Sequence, residues 1–320
     1  MDWITPMEPI SSSSIPSGEE WIFQIKWDGI RGLTYYQRRQ GEDHVRIFTK
    51  SGRERTEYYP ELHHIGNLVA GNNAVLDGEM VVPDNDGKPS FHLSLIREKT
   101  GRKDKLPHYI RKYPVIYIVF DILYLNDCLL TELPLKERRN ILYQSLNQDG
   151  NIAITEDFED GPGLYDLMKR KGWEGIVSKK KNSLYCPAKN HSEWFKHKNL
   201  KKILAAICGI QWKDSLPNSL ILGIFRDDSW VYIGKASQGL TFEERRQLKQ
   251  YAVRHRNDDC PFRDVRLCKG ESFTWLKPAV TCWIRFLEWT NDGTMRHPAI
   301  LGFSHLSAEQ ANGKEWSIDE

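Results

Sequence analysis

Residues 21–29 constrain the fold more than any other segment, because their side chains alternate with a period of two. Large apolar residues stand at every second position and form one face: Trp21, Phe23, Ile25 and Trp27. The other face carries Ile22, Gln24, Lys26 and Asp28. This period is typical of a strand with one face in a core. Gly29 follows, so the sequence predicts a strand that ends there and presents Lys26 and Asp28 on the same face.

The rest of the first half mixes strands and helices. Residues 11–19, which are rich in serine, indicate an entry loop. Two apolar segments predict strands, and the second is almost wholly apolar, which predicts a buried strand. Without a regular strand–helix–strand repeat, the pattern predicts an α+β domain. The predicted strands are Ala74–Val82 and Val115–Leu125, and the predicted helices are Leu135–Leu146 and Leu164–Lys171.

The second half predicts a small β-barrel. A basic stretch at Asn199–Lys202 is the predicted boundary, which gives domains of residues 1–200 and 201–320. Thr241 and Glu244 form a capping box before a helix with apolar residues at helical spacing. Five or so short strands around one helix suit an OB-fold barrel. Those predicted strands are Ile203–Trp212, Leu220–Phe225, Val231–Ala236, Phe273–Lys277 and Thr281–Trp289.

Composition excludes several classes of protein. Of the 320 residues, 40% are hydrophobic and 28% charged, and no apolar run reaches the roughly 20 residues of a membrane helix. The start of the chain has no basic head followed by an apolar core, so we expect a cytoplasmic protein without membrane association. Six cysteines without a CxxC pair do not indicate zinc. A net charge of +2 is too small to indicate nucleic-acid binding by itself.

Five short motifs carry the chemistry. Each has an ordinary explanation of its own: a turn after a strand, paired surface carboxylates, a core aromatic ring or solvated lysines. Their occurrence together, in a fixed order and on strand-like segments, favours one functional site. The motifs are Lys26-Trp27-Asp28-Gly29-Ile30-Arg31, Leu76-Asp77-Gly78-Glu79, Phe120-Asp121, Glu174-Gly175-Ile176-Val177-Ser178-Lys179 and Trp194-Phe195-Lys196-His197-Lys198.

This set resembles the covalent nucleotidyltransferases, and within them the ATP-dependent ligase module of bacterial end-joining ligases of the ligase D type. The resemblance covers nearly the whole chain. It extends to segments that capping enzymes are not expected to share, above all near the C-terminus. These further segments are Gly18-Glu19-Glu20-Trp21, Tyr59-Pro60-Glu61-Leu62, Phe286-Leu287-Glu288-Trp289-Thr290-Asn291-Asp292-Gly293 and Arg296-His297-Pro298.

The resemblance implies a nucleotidyltransferase (adenylation) domain followed by an OB-fold domain, and the activity of a DNA ligase that uses ATP. Lys26 would take up AMP, and Asp28 would orient groups or handle protons. Glu79 and Glu174 would bind Mg²⁺ or Mn²⁺. Phe120 would stack on adenine. The remaining nucleotide contacts would come from Arg31, Lys50, Lys196, Lys198 and Arg296.

Three positions depart from the pattern that we associate with this family. Gln24 stands where a glutamate is common. Lys50 stands where an arginine is common, and it keeps the charge without the planar fork of donors. After Gly302 the chain reads Phe303-Ser304-His305-Leu306, where we expect an arginine and a lysine that meet pyrophosphate. We therefore expect slow self-adenylation, with Arg296 as the main remaining cation.

Other functions share the first domain. An RNA ligase or a capping-type enzyme would use the same nucleotide site, and a non-catalytic nucleic-acid-binding adaptor would keep a decayed one. An NAD-dependent ligase is disfavoured, because the zinc-binding cysteines of that family are absent. The expected substrate is nicked or broken duplex DNA, with end-binding or polymerase repair proteins acting in trans. We expect a monomer, of bacterial or phage source and associated with the nucleoid, with a hinge at Asn199–Lys202. The pathway stays open.

Overall fold

A computed structural model describes residues 3–101, 103–263, 265 and 272–318. The chain divides into two compact units, residues 1–199 and 200–320. The first unit holds a four-stranded sheet and a six-stranded sheet, and the second unit holds an eight-stranded sheet. Helices are interspersed with antiparallel and parallel strands in the first unit, as an α+β domain requires.

In the first unit the strands are β1 (Glu8–Ser11), β2 (Trp21–Ile25), β3 (Ile30–Arg39), β4 (Glu42–Thr49), β5 (Asn73–Val81), β6 (Ile116–Leu125), β7 (Cys128–Leu129), β8 (Ile152–Ile154), β9 (Gly175–Lys180) and β10 (Asn190–Lys198). Its α-helices are α1 (Phe91–Glu98), α2 (Leu106–Lys112), α3 (Leu135–Ser145) and α4 (Gly161–Lys171). Short 3₁₀ turns lie at Thr56–Tyr58, Pro60–Asn67 and Lys103–Lys105.

Strand order brings distant motifs together in the first unit. The four-stranded sheet has the order β1-β10-β9-β2, so the strand before Lys26 lies next to the strand after Glu174. The six-stranded sheet has the order β4-β3-β5-β6-β7, with β8 beside β6. Its main core is built from side chains such as Leu76, Tyr117 and Val119, all fully buried. Burial of such side chains stabilises the sheet by about 1.5–3 kcal/mol each.

The second unit is organised around one long central strand. Its strands are β11 (Lys201–Lys213), β12 (Leu216–Arg226), β13 (Ser229–Ala236), β14 (Arg256–Asn257), β15 (Ser272–Leu276), β16 (Thr281–Phe286), β17 (Ala299–Ser304) and β18 (Glu315–Ser317). Strand β11 pairs with β12, β15, β16 and β18. A strand bonded to several partners curves the sheet around a core, which here includes Ile203, Leu222 and Phe286. Helix α5 (Phe242–His255) and a 3₁₀ turn at Ala308–Gln310 complete the unit.

Most of the predicted elements occur, with shifted ends. The strand predicted to reach Gly29 stops at Ile25, and the chain turns before β3 starts at Ile30. The capping box of α5 is confirmed: Thr241 accepts from the backbone of Glu244, and the Glu244 carboxylate accepts from that of Thr241. Phe242, by contrast, is 69% exposed rather than packed with the rest of the helix. Strands β3, β4 and β17 and helices α1 and α2 were not predicted.

Among the described residues, no helix has both the length and the apolar character that a membrane crossing requires.

Candidate active site

One cavity of the first unit collects residues from all five sequence motifs. In the four-stranded sheet, β2, β9 and β10 are paired so that Gln24 lies opposite Val177, which lies opposite Lys196. Side chains two residues apart on a strand share a face. One face of this sheet therefore lines the cavity, and residues of β3, β5 and β6 supply other parts of its wall. The lining includes Gln24, Lys26, Arg31, Glu79, Phe120, Val177, Lys179, Trp194, Lys196 and Lys198.

Lys26 is positioned by the end of β2. Its backbone N–H donates to the carbonyl of Gly175 at 3.0 Å, one step beyond the last strand pair. Only glycine fits at position 175: its φ is +135°, and a β-carbon there would lie 2.0 Å from the carbonyl oxygen of His197. This close approach of β9 to β10 places Glu174 beside Lys26, with Nζ donating to Oε2 at 2.6 Å.

Glu174 joins two lysines from different strands. Its second oxygen lies 3.1 Å from Nζ of Lys198, and its side chain is 3% exposed. Burial opposes ionisation of this carboxyl, but Lys26 and Lys198 outweigh burial and hold its pKa below the usual range. Lys196 lies nearby, and burial together with the charges of Lys198 and Lys26 lowers its pKa. The cavity therefore holds an excess of cationic groups, as a polyphosphate site needs.

Glu79 differs from Glu174 in its charge state. Burial raises the pKa of this carboxyl to about 8, although Lys26 and Arg31 favour the ionised form. The carboxylates of Glu174 and Asp28 raise it further, so several acidic groups compete for the same positive charge. The carboxylates of Glu79 and Glu174 together suit Mg²⁺, which usually takes one or two carboxylates together with substrate phosphates. Within the described ranges, no three acidic, histidine or cysteine side chains form a metal cage.

Arg31 is held in place by its own carboxylate. Nε and Nη2 donate to the two oxygens of Asp77, each at 2.6 Å, and Nη2 also donates to the carbonyl of Met7 at 3.1 Å. Tyr185 donates to the same carboxylate at 2.6 Å. Asp77 and Glu79 are two residues apart on β5, a spacing that usually places side chains on one face, and the structure gives them separate partners. Asp77 positions Arg31 at the cavity wall, whereas Glu79 faces Lys26.

Phe120 lies between two cations. The centre of its ring is 4.7 Å from Cζ of Arg31 and 4.5 Å from Nζ of Lys179. The neighbouring Asp121 is fully buried and forms a two-pronged ion pair with Arg138, so it has a structural role. Phe120 is thus the only member of its motif that lines the described cavity.

The sequence analysis gives no role to two polar residues of the cavity wall, Lys179 and Gln24. Lys179 belongs to a run of three lysines that resembles a solvated surface, yet it is buried, with Nζ 4.2 Å from the ring centre of Trp194. In the sequence, Gln24 is distinguished only by its departure from the family pattern. The alternation of β2 and β9 could have revealed both, because Lys179 shares the face of Val177 and Gln24 shares that of Lys26.

The remaining predicted residues lie outside the cavity lining. Asp28 is buried just beyond β2 and is close enough to influence the pKa of Glu79. Lys50 follows β4, is 55% exposed and lies 2.6 Å from the carboxylate of Glu8, a residue at the cavity wall. Arg296 belongs to the second unit, where Nη1 donates to Glu288 at 2.7 Å. The proposed roles of these three residues stay predictions.

Two family models match the chain. The ATP dependent DNA ligase domain matches residues 8–198, and the ATP dependent DNA ligase C terminal region matches residues 213–305. The first model alone covers more than half of the sequence.

Similar proteins include the multifunctional non-homologous end joining DNA repair protein LigD of Mycobacterium tuberculosis, which is 30% identical over 292 residues. That match covers 88% of this chain but 36% of the relative. The bifunctional non-homologous end joining protein LigD of Bacillus subtilis is 25% identical over 316 residues, covering 93% of this chain and 48% of the relative. The chain thus spans less than half the length of these relatives.

Solved structures agree in fold. The ligase domain of M. tuberculosis LigD has a TM-score of 0.53 at 27% identity, covering 97% of this chain and 98% of that one. A mycobacterial DNA ligase D complexed with ATP and MES has a TM-score of 0.54 at 26% identity, covering 96% and 97%. The predicted fold class, an α+β adenylation domain followed by an OB-fold domain, is confirmed. The chain belongs to the ATP-dependent DNA ligase family.

Proposed function

We propose that this chain seals breaks in duplex DNA between a 5′-phosphate and a 3′-hydroxyl through AMP bound covalently to Lys26. The observation that carries the proposal is the placement of Lys26. Its amine stands in a cavity with an aromatic ring and further lysines, 2.6 Å from the carboxylate of Glu174. A nucleophilic amine, a platform for a base and cations for phosphates are the parts that nucleotide transfer requires.

The proposed reaction has three steps. Nζ of Lys26 loses a proton and forms a bond to the α-phosphorus of ATP, while the bond to the bridging oxygen breaks and pyrophosphate leaves. An oxygen of the 5′-phosphate then attacks the same phosphorus, and the P–N bond breaks. Finally the 3′-hydroxyl loses its proton and attacks the 5′-phosphorus, and AMP leaves. Each step transfers one phosphoryl centre, so positioning and charge neutralisation dominate the catalysis.

The cavity residues divide this work. We assign Lys196 and Lys198 to the phosphates, Phe120 to the base, and Arg31 to the ribose or phosphate. Asp28 would orient groups around Lys26 or handle its proton. Lys50 would contact the nucleotide at the rim of the cavity.

Glu79 and Glu174 would hold Mg²⁺ or Mn²⁺. A bound ion would neutralise phosphate charge and act as a Lewis acid. Glu174 would have to release at least one of its two lysines for this role, and release of Lys26 would free the amine that attacks ATP.

We also propose a role in the repair of broken ends. The matched relatives are named as non-homologous end joining proteins, and this chain corresponds to about a third to a half of their lengths. The match is to their ligase portion, and we propose that the chain acts together with end-binding or polymerase repair proteins. A change of pathway would leave the chemistry at Lys26 unaltered.

The proposal is tested by incubating the protein with α-labelled ATP and a divalent metal, followed by a denaturing gel. A covalent label that is lost on addition of nicked DNA, together with a sealed strand, is the expected result. Protein without label would favour an adaptor with a decayed site. Preferential sealing of nicked RNA in a competition with nicked DNA would favour an RNA ligase.

A further inference from the structure

Two tryptophans flank the ion pair between Lys26 and Glu174. Trp27 directly follows Lys26 in the sequence, and Trp173 directly precedes Glu174. Their ring centres are 5.7 Å apart and the rings are tilted by 51°, within the range in which aromatic side chains attract each other. The two chain segments are therefore joined twice, once by the charged groups and once by the rings at the neighbouring positions.

Trp27 is fixed by a hydrogen bond to a third segment. Its Nε1 donates to Oγ1 of Thr155 at 3.0 Å. The backbone of Thr155 is itself held, because its N–H donates to the carbonyl of Val119 at 2.9 Å and its carbonyl accepts from Arg139 at 2.6 Å. The indole of Trp27 is therefore anchored to the residue that follows β8.

Trp173 is fixed through its backbone. It follows Gly172, which ends α4 in the left-handed conformation at φ +65°. The N–H of Trp173 donates to the carbonyl of Met168 at 2.9 Å. Asn199 donates twice to the same segment, from its side chain to the carbonyl of Trp173 at 3.4 Å and from its backbone to the carbonyl of Glu174 at 2.8 Å. These bonds hold the main chain on both sides of the Trp173 ring.

Lys26 needs support from a neighbour. Strand β2 ends at Ile25, so Lys26 lies one step beyond the last strand pair, and β3 begins only at Ile30. A lysine has a flexible four-carbon stem, so a fixed backbone alone does not fix its amine. In its proposed metal role Glu174 releases a lysine, so the ion pair does not secure the amine during the attack on ATP.

We propose that Trp27 and Trp173 form an aromatic clamp, which keeps the segments of Lys26 and Glu174 together so that the amine stays in position for attack on ATP after the carboxylate releases it. Both tryptophans are positioning residues, because they act through the side chains next to them. The inference rests on the proposed role of Lys26. A nucleophile held in an attack geometry reacts faster without binding its substrate more tightly. The clamp therefore acts on the rate of adduct formation rather than on the affinity for ATP.

Trp173 offers the cleaner test of the clamp. Trp27 lines the cavity, whereas Trp173 is not among the described residues of its wall. The measurement is single-turnover formation of the Lys26 adduct over a range of ATP concentrations. In Trp173→Ala the maximal rate should fall by roughly tenfold to a hundredfold, while the ATP concentration at half-maximal rate should change by less than about twofold. Trp173→Phe keeps a ring and should recover most of the rate.

Closure of a nick that already carries AMP separates a clamp from general support of the fold. That reaction does not use the amine of Lys26 as a nucleophile, so Trp173→Ala should close the nick at nearly the wild-type rate. Equal losses in adduct formation and in nick closure would show that Trp173 supports the site as a whole, and they would overturn the inference. A wild-type rate of adduct formation in Trp173→Ala would overturn it as well.

The hydrogen bond of Trp27 is tested by a double-mutant cycle. Trp27→Phe keeps a ring and removes the donor, and Thr155→Val removes the acceptor. If both residues act on Lys26 through this bond, the double variant should form the adduct no more slowly than the slower of the two single variants. Losses that multiply would overturn the role of this bond in the clamp.

Trp212→Phe is the matched control. Trp212 belongs to the second unit and makes the same kind of bond, with Nε1 donating to Oγ1 of Thr274 at 2.9 Å. Its rate of adduct formation should equal that of the wild type, and a loss as large as that of Trp27→Phe would contradict a local clamp. Absence of an adduct from the wild type would overturn the proposed function itself, and the inference with it.

Discussion

Lys26 and Glu174 are 148 residues apart in the sequence, and Nζ of the first lies 2.6 Å from Oε2 of the second. The pairing of β2 with β9 creates this contact, and the close approach at Gly175 makes it possible. The carboxylate also holds Lys198, so it organises two of the cations in the cavity. If Glu174 has the proposed metal role, a change at this residue should affect metal binding and lysine placement together.

Lys26→Ala should abolish both the covalent AMP adduct and the sealing of nicked DNA, because it removes the amine that we propose forms the bond to phosphorus. The measurement is labelling with α-labelled ATP, followed by peptide mapping of any adduct. Lys180→Met serves as a control for the loss of a lysine on an adjoining strand. A lysine-linked adduct at another position in Lys26→Ala would refute the assignment.

Glu79→Ala and Glu174→Ala should each raise the Mg²⁺ concentration needed for half-maximal adduct formation, or remove the activity. The physical reason is the loss of a hard oxygen ligand from a site that relies on few protein ligands. Titrations of Mg²⁺ against the rate of adduct formation provide the measurement. Titration curves that superimpose on the wild-type curve would show that neither residue is a metal ligand.

Phe120→Ala should raise the KM for ATP by roughly tenfold to a hundredfold, since stacking of a base on an aromatic ring contributes about 1–3 kcal/mol. Phe120→Tyr should have a mild effect, because the ring and its contacts with Arg31 and Lys179 are kept. Steady-state rates over a range of ATP concentrations test both variants. Equal KM values for the wild type and Phe120→Ala would show that the ring serves only in packing.

Lys179→Met should stabilise the protein at neutral pH. Burial lowers the pKa of this amine from its ordinary value of 10.5 to about 7 in the folded state. Between these values the unfolded chain binds the proton more strongly, so the cost to stability is largest below about pH 7 and disappears as the pH rises toward about 10. The free energy of unfolding in urea should therefore favour Lys179→Met at pH 7, by a margin that shrinks with rising pH. A margin independent of pH would contradict this cause.

Arg296→Ala should slow formation of the Lys26 adduct more than closure of a nick that already carries AMP, because only the first reaction releases pyrophosphate. A preorganised cation stabilises that leaving group electrostatically. Single-turnover rates of the two reactions, measured separately on both proteins, make the comparison. Equal losses would identify Arg296 as a DNA-binding or folding residue through its pair with Glu288, and no loss would leave the segment after Gly302 without a compensating cation.

The sequence by itself indicated Lys26 as the proposed nucleophile, the strand that precedes it and the class of fold. These are local properties: alternation with period two identified the strand before Lys26, and the capping box identified the start of α5. Neither needs a partner distant in sequence. Short strands without clear alternation, such as β17, were missed for the same reason, since pairing with β16 stabilises them.

The tertiary structure alone decided what each charged side chain does. Asp77 and Glu79 are both acidic residues of one short motif, and the sequence does not distinguish their roles. In the structure Asp77 pairs with Arg31, while burial raises the pKa of Glu79 to about 8. Likewise, a run of three lysines predicts solvent exposure, but pairing of β9 with β2 and β10 turns Lys179 into the cavity. Coulomb energies and the cost of desolvation depend on distance and burial in three dimensions, and neither can be read from the order of residues.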